Sequence, residues 1–157
     1  MTPAPPPDLR QDRAEISQLI ARQFRALCWD ETTPADVEAL TSAYLPDAQL
    51  YASARPANPQ SAQQFADRMT NLRNTGTIPV FHETGRGLHI WIVGAIAVAL
   101  AGCEMHENRT DVTEDISAFL LVRNPEGWVI AGQAWDILPS ITAAFAANGL
   151  DDSPFDV

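Results

Sequence analysis

From Val80 to Ile137 the chain runs through long stretches of β-branched and aromatic residues broken only by short turns, and this half sets the fold class. The run LHIWIVGAIAVALAGCEM, Leu88 to Met105, is polar at its ends and interrupted by Gly94. Its apolar part falls short of the ~20 residues a membrane-spanning helix needs, so it reads as two strands. DISAFLLVRNPEGWVIAGQAWDI follows, two more strands joined by Asn124-Pro125-Glu126-Gly127. Pro at the second turn position and Gly at the left-handed position predict a type I hairpin turn with a bulge. A four-stranded meander preceded by helices is an α+β plan.

The first half supplies those helices. Asp12 and Glu15 have capping-box spacing and open a helix with a stripe of Ile16, Leu19, Ile20, Gln23/Phe24 and Leu27. Thr33 with Pro34 starts a second, whose stripe is Val37, Leu40 and Tyr44. Pro46-Asp47 turns the chain into a short strand, Ala48 to Ala52, and the proline-bearing SARPANPQ is a loop. Ser61 and Gln64 form a second capping box for a helix carrying Phe65, Met69 and Leu72, ended by Asn74-Thr75-Gly76. After Pro139 a short helix is expected over 141–147. The organisation is a proline-rich leader (1–9), one domain (10–147) and an acidic tail (148–157).

A chain of 157 residues is long enough for one domain with a sizeable core. Ten Lys and Arg against 20 Asp and Glu leave a net charge of −10, with no basic cluster. Nucleic acid and anionic membrane surfaces are therefore excluded as partners, since both require cations to displace counterions. Cys28 and Cys103 are too few for a disulfide framework, and MTPAPPPDLR lacks the apolar core of a signal peptide, so a cytoplasmic location is expected. No Gly-rich phosphate loop, dinucleotide fingerprint or Ser-elbow motif is present, and no nucleotide cofactor is expected.

The order of three helices, a short strand and a long meander resembles the NTF2-like (SnoaL-like) cone. Tyr44-Leu45-Pro46-Asp47-Ala48 is similar to that family's helix-to-strand passage. Phe81-His82-Glu83, Gly94-Ala95-Ile96-Ala97-Val98, Glu104, Trp128-Val129-Ile130 and Trp135-Asp136 resemble a group of bacterial members, over roughly residues 10–138. The resemblance implies three N-terminal helices packed on a curved, mainly antiparallel sheet, a pocket between them, and an outer sheet face that often dimerises. It leaves activity open, because the family holds isomerases, cyclases, dehydratases, epoxide hydrolases and non-catalytic members. Ketosteroid isomerase chemistry is argued against. Aligned at the Asn124–Gly127 turn, that enzyme's oxyanion aspartic acid falls at Phe119, its oxyanion tyrosine near Gln23 and its base aspartate at Ala52.

Strand alternation then sorts the side chains. With a turn at Val93-Gly94, His82, Thr84, Arg86, Leu88 and Ile90 share the pocket face with Ala97, Ala99, Ala101, Cys103 and Met105, joined by Asp115, Ser117, Phe119 and Asp136. A bulge at Gly85 or Gly87 would reverse part of this face. His82 with Asp115 or Asp136 could form a general-base pair, or be a histidine satisfied at the rim. Asp136 reads equally as a cap on the segment at Pro139, and Arg86 as a partner for Asp115 or for an anionic substrate. Trp29, Arg86, Cys103, Met105, Ser117 and Phe119 are expected to contact a ligand. Glu83, Glu104 and Glu114 either crowd across the strands or flare at exposed strand ends. Cys103-x-x-His106 points its two side chains to opposite faces of a strand, so no metal is expected.

The opposite face, with Trp91, Ile96, Val98, Leu100, Ile116, Leu120 and Trp135, is too apolar to leave in water. A homodimer through Trp91, Val98, Ile116, Leu120 and Trp135 is expected, unless a C-terminal segment folds over it. The functional expectation is a pocket for a small apolar organic molecule, with non-hydrolytic acid–base turnover (isomerisation, cyclisation or dehydration) if His82 and an aspartate meet there. The alternative is a non-catalytic interaction or carrier domain whose pocket is filled by its own side chains.

Overall fold

The computed structural model describes residues 8–157. Of the expected leader, residues 1–7 lie outside the described residues, while Asp8 caps the first helix. The elements in order are α1 (Leu9–Ala26), α2 (Val37–Ser42), β1 (Tyr44–Tyr51), β2 (Pro59–Gln60), α3 (Ala62–Asn74), β3 (Phe81–Val93), β4 (Ile96–Glu107), β5 (Asp111–Asn124), β6 (Gly127–Leu138), α4 (Ile141–Ala146) and β7 (Pro154–Phe155). They form one sheet in the order β2-β1-β6-β5-β4-β3-β7, antiparallel except where β1 runs parallel to β6.

Local chemistry explains most boundaries. Asp8 accepts hydrogen bonds from the Arg10 and Gln11 amides, so α1 begins a turn before Asp12. Asp36, rather than Thr33, caps α2 through the Ala39 amide. The Ser61–Gln64 capping box closes in both directions, at 3.0 and 2.9 Å. The hairpin at Asn124–Gly127 forms as expected, with Gly127 at φ 126°.

Helices α1 and α3 cover one face of the sheet. Ile16, Ile20 and Phe24 from α1 are buried in one cluster with Ala97, Ala99 and Ala101, a row of small residues that leaves room beneath the helical layer. Two bulges decide which strand residues join them. The pairing passes from Arg86↔Gly102 to Leu88↔Ala101, so Gly87, at φ +72°, is left without a partner. Phe81, Glu83 and Gly85 therefore face inward before the bulge, and Leu88 and Ile90 after it. On β6 the pairing slips from Leu121↔Ile130 to Leu120↔Gly132, leaving Ala131 unpaired. This turns Gln133 and Trp135 inward and Asp136 outward.

The C-terminal segment crosses the outer face and returns around the β3 edge. Ile141 and Phe145 of α4 are fully buried against Gly102 and Gly87, where any side chain would collide with them. Arg86, on this outer side, binds Glu104 (2.7 Å), Glu114 (3.2 Å), Asp152 and the Thr142 hydroxyl (2.7 Å). Glu114 in turn accepts the Ile141 amide at 2.7 Å. Strand β7 then pairs with Gly85 and Arg86, and Phe155 reaches the Phe24 ring at 6.1 Å.

Candidate active site

Between α1, α3 and the inner sheet face lies a cavity of about 170 Å³. Strands β3, β4, β5 and β6 contribute Glu83, Cys103, Asp115, Ser117 and Gln133 to it. Its apolar walls include Phe24, Phe65, Met69, Phe81, Met105 and Trp135, with the Phe65 and Trp135 rings 5.2 Å apart. Arg68 of α3 borders it, its guanidinium 5.4 Å from the centre of the Phe65 ring.

A polar chain runs through this apolar setting. Gln23 Nε2 donates to the Tyr44 hydroxyl at 3.0 Å, Tyr44 donates to Gln133 Oε1, and Gln133 Nε2 donates to Ser117 Oγ at 3.0 Å. These side chains lock one another in place, as buried polar groups must be paired to offset their desolvation. The chain ends in an orphan. Gln23 Oε1 has no partner, and the same holds for Glu83 Oε2 and Asp115 Oδ1. All three residues are at most 7% exposed.

Both carboxyl groups hold their protons more tightly than a free carboxyl does. Burial pushes Asp115 up to about 7. Burial also raises Glu83 well above the usual carboxylate range, and the charge on Asp115 raises it further, while the Cys103 thiol partly offsets this. Asp115 thus gives up its proton first, and its charge then holds the proton on Glu83. Near neutral pH the cavity holds one carboxylate able to accept a proton and one carboxylic acid able to give one. Burial and the same two acids push the Cys103 thiol up, so it stays protonated and is not a nucleophile.

No family model and no curated protein sequence matches the chain. Solved structures do. An NTF2-like protein with a cystatin-like fold from Novosphingobium aromaticivorans is similar at 20% identity and a TM-score of 0.68, over 88% of this chain and 89% of that one. An NTF2-like protein of unknown function from Shewanella baltica is similar at 16% identity and a TM-score of 0.62, over 86% and 100% of the two chains. The chain has the NTF2-like fold. Hexachlorocyclohexane dehydrochlorinase LinA-type3 from Novosphingobium barchaimii shares it at 13% identity and a TM-score of 0.66, over 94% and 92% of the two chains.

Within this NTF2-like cone the expected site residues divide. Asp115, Ser117, Cys103 and Met105 line the cavity as the alternation predicts. Phe119 is buried on the same face but packs against Phe24, with ring centres 6.3 Å apart, and is core. Trp29 is also core, stacked 4.8 Å from Phe81 with its indole donating to the Ile78 carbonyl at 2.8 Å. His82 is corrected to the outer face. It is exposed beside His106, ring centres 6.4 Å apart, because the Gly87 bulge reverses that part of β3. Arg86 moves outward for the same reason. Asp136 is turned outward by the Ala131 bulge and lies 4.0 Å from Arg55, far from a base pair with His82. Trp135, expected outside, is a cavity wall. Ile116 and Leu120 do lie on the outer face, Ile116 half-buried and Leu120 exposed.

Three cavity residues, Glu83, Gln133 and Arg68, are not among the expected site residues, and neither is Tyr44, which ties Gln23 to Gln133 from outside the lining. The sequence offers Glu83 only as one of three acids that either crowd across the strands or flare at their exposed ends, and it marks no chemical role for Gln133, Tyr44 or Arg68. Gln23 was placed on the apolar stripe of α1, where a polar side chain is itself a signal that something buried needs a partner. Among the described residues, no three His, Cys, Asp or Glu side chains are grouped so as to hold a metal ion, and no helix is long and apolar enough to cross a membrane.

Proposed function

We propose that the protein is a general acid–base enzyme of the isomerase, cyclase or dehydratase type, acting on a small organic molecule held between α1, α3 and the sheet. The observation that carries this reading is the pair of buried carboxyl groups, Glu83 and Asp115, each with one oxygen that has no partner and each with a raised proton affinity, in an apolar cavity. The Asp115 carboxylate removes a proton from carbon. Glu83 gives its proton to the oxygen that carries the resulting charge, producing an enol or, when that oxygen leaves, water and an alkene. One proton enters the pair and one leaves it, so the balance closes without a further reactant. The dehydrochlorinase of similar fold is named for an elimination, which is kindred chemistry, but at 13% identity this is analogy of fold alone.

The test is proton exchange from small cyclic ketones in D₂O, followed by NMR. Asp115→Asn is expected to slow exchange by about 10²-fold or more, the usual worth of a positioned base. His82→Ala is expected to leave it unchanged. Equal exchange in wild type and Asp115→Asn would remove the acid–base reading.

We also propose that the chain forms a homodimer through the outer sheet face. Helix α4 covers one end of that face and leaves Trp91, Val98 and Leu120 about half exposed at the other, at 46%, 48% and 50%, beside Ile96 at 56%. The apolar rows form a shallow concavity of about 730 Å³ bounded by Tyr51 and Gln49 of β1. A second copy related by a two-fold axis would bury the same residues twice. Leu120→Glu is expected to convert a dimer to monomer in sedimentation. An unchanged sedimentation coefficient would place the interface elsewhere.

A further inference from the structure

The same cavity constrains its ligand, and this inference rests on its being a ligand site. Three buried acceptor atoms, Gln23 Oε1, Glu83 Oε2 and Asp115 Oδ1, lack any donor. A buried acceptor without a donor costs free energy, so the missing donors must come from whatever occupies the space. The walls are aromatic. A cavity of about 170 Å³ is the size that accepts a single six-membered ring, since benzene fills one of ~150 Å³. Arg68 adds a third constraint. It is the one cation among the described residues that borders the cavity, and it has no hydrogen bond or ion pair among them. Its exposed position lets it meet a charged group that stays at the rim while the ring enters.

We propose that the ligand is a one-ring hydroxylated carboxylic acid, whose hydroxyl groups donate to Gln23, Glu83 and Asp115 and whose carboxylate pairs with Arg68. The two ends of such a molecule require opposite partners, and the cavity offers the acceptors of Gln23, Glu83 and Asp115 and, beside the further carboxyl group of Glu107, one guanidinium. A neutral ring without hydroxyls leaves three acceptors bare. A carboxylate turned inward would face the charge on Asp115 and be repelled.

The test is calorimetric titration of the full chain at pH 8 with three probes: benzoate, catechol and 3,4-dihydroxybenzoate. The dihydroxybenzoate is expected to bind about tenfold or more tightly than either of the others, as charge-assisted and buried hydrogen bonds discriminate. Arg68→Gln is expected to erase its advantage over catechol while leaving catechol affinity as in wild type. Gln23→Leu is expected to reduce its advantage over benzoate. Equal binding of catechol and dihydroxybenzoate by wild type would overturn the proposal, as would an Arg68→Gln variant with unchanged selectivity. No binding of any probe at millimolar concentration would also overturn it and leave water as the occupant. Binding is read without turnover. An Arg68-dependent preference together with Asp115-independent proton exchange would uphold this proposal and remove the acid–base reading.

Discussion

Asp115→Asn is expected to be more stable than the wild type above pH 7 and no more stable below pH 4. In the unfolded chain the Asp115 carboxyl ionises near 3.8, whereas burial lifts it to about 7 in the fold. A raised carboxyl affinity means the native state holds the extra proton. Its contribution to stability is fully present below the unfolded value and is lost as pH rises through the folded one. Three units at about 1.4 kcal/mol each make this about 4 kcal/mol over the window from pH 4 to 7. Glu83, raised by burial and by the Asp115 charge, adds a decline of the same sign. The asparagine keeps the shape of the side chain and has no charge to bury, so its denaturation midpoint is expected to fall less steeply over the same range, keeping only the part of the decline that the buried Glu83 contributes. Parallel pH profiles for the two proteins would mean that Asp115 is not held in an apolar site. A group that weakens the fold at neutral pH is the signature of a site kept for chemistry, where stability and activity pull in opposite directions.

That carboxyl pair was half legible in the sequence. Alternation along β4 and β5 put Cys103, Met105, Asp115 and Ser117 on one face, and those strands are regular from end to end. The register of β3 turned on a glycine. Gly85-Arg86-Gly87 marked a possible bulge, but only the positive φ at Gly87 tells which residue is left over, and that choice exchanges His82 for Glu83 at the site. The β6 bulge at Ala131 carries no comparable mark, since alanine there needs no special backbone, and it exchanged Asp136 for Gln133 and Trp135. The α4 segment is readable as a helix, and a C-terminal cover over the outer face is one of the two alternatives the sequence leaves open, but the place where it seats is not legible. What draws it onto the sheet is the bare backbone at Gly102 beneath Ile141 and Phe145, a fit that exists only once the strands are paired.

Asp12→Ala is expected to destabilise the protein by about 3 kcal/mol or more, the scale for removing one partner of a buried ion pair. In this size class that lowers the melting temperature by roughly 6–12 °C. Its spacing to Glu15 suggests an N-cap, but Asp12 lies inside α1 and is only 4% exposed. Its Oδ1 accepts from Arg123 Nη1 and from the Trp128 indole, each at 3.0 Å, fastening α1 to the two strands of the last hairpin. Without the carboxylate, the buried Trp128 N–H keeps no acceptor. Arg123 loses its counterion but sits partly exposed, at 34%, over the Trp128 ring, so water recovers some of the loss. Asp12→Asn retains one oxygen for both donors and is expected to lose less than half as much as Asp12→Ala in urea denaturation. If the two variants were equally destabilised, the charge rather than the shared acceptor would be what binds the helix. If neither moved the midpoint, α1 would be held by Ile16, Ile20 and Phe24 alone, and the Asp12–Arg123–Trp128 cluster would add nothing to the seating of the helix that carries Gln23 into the cavity.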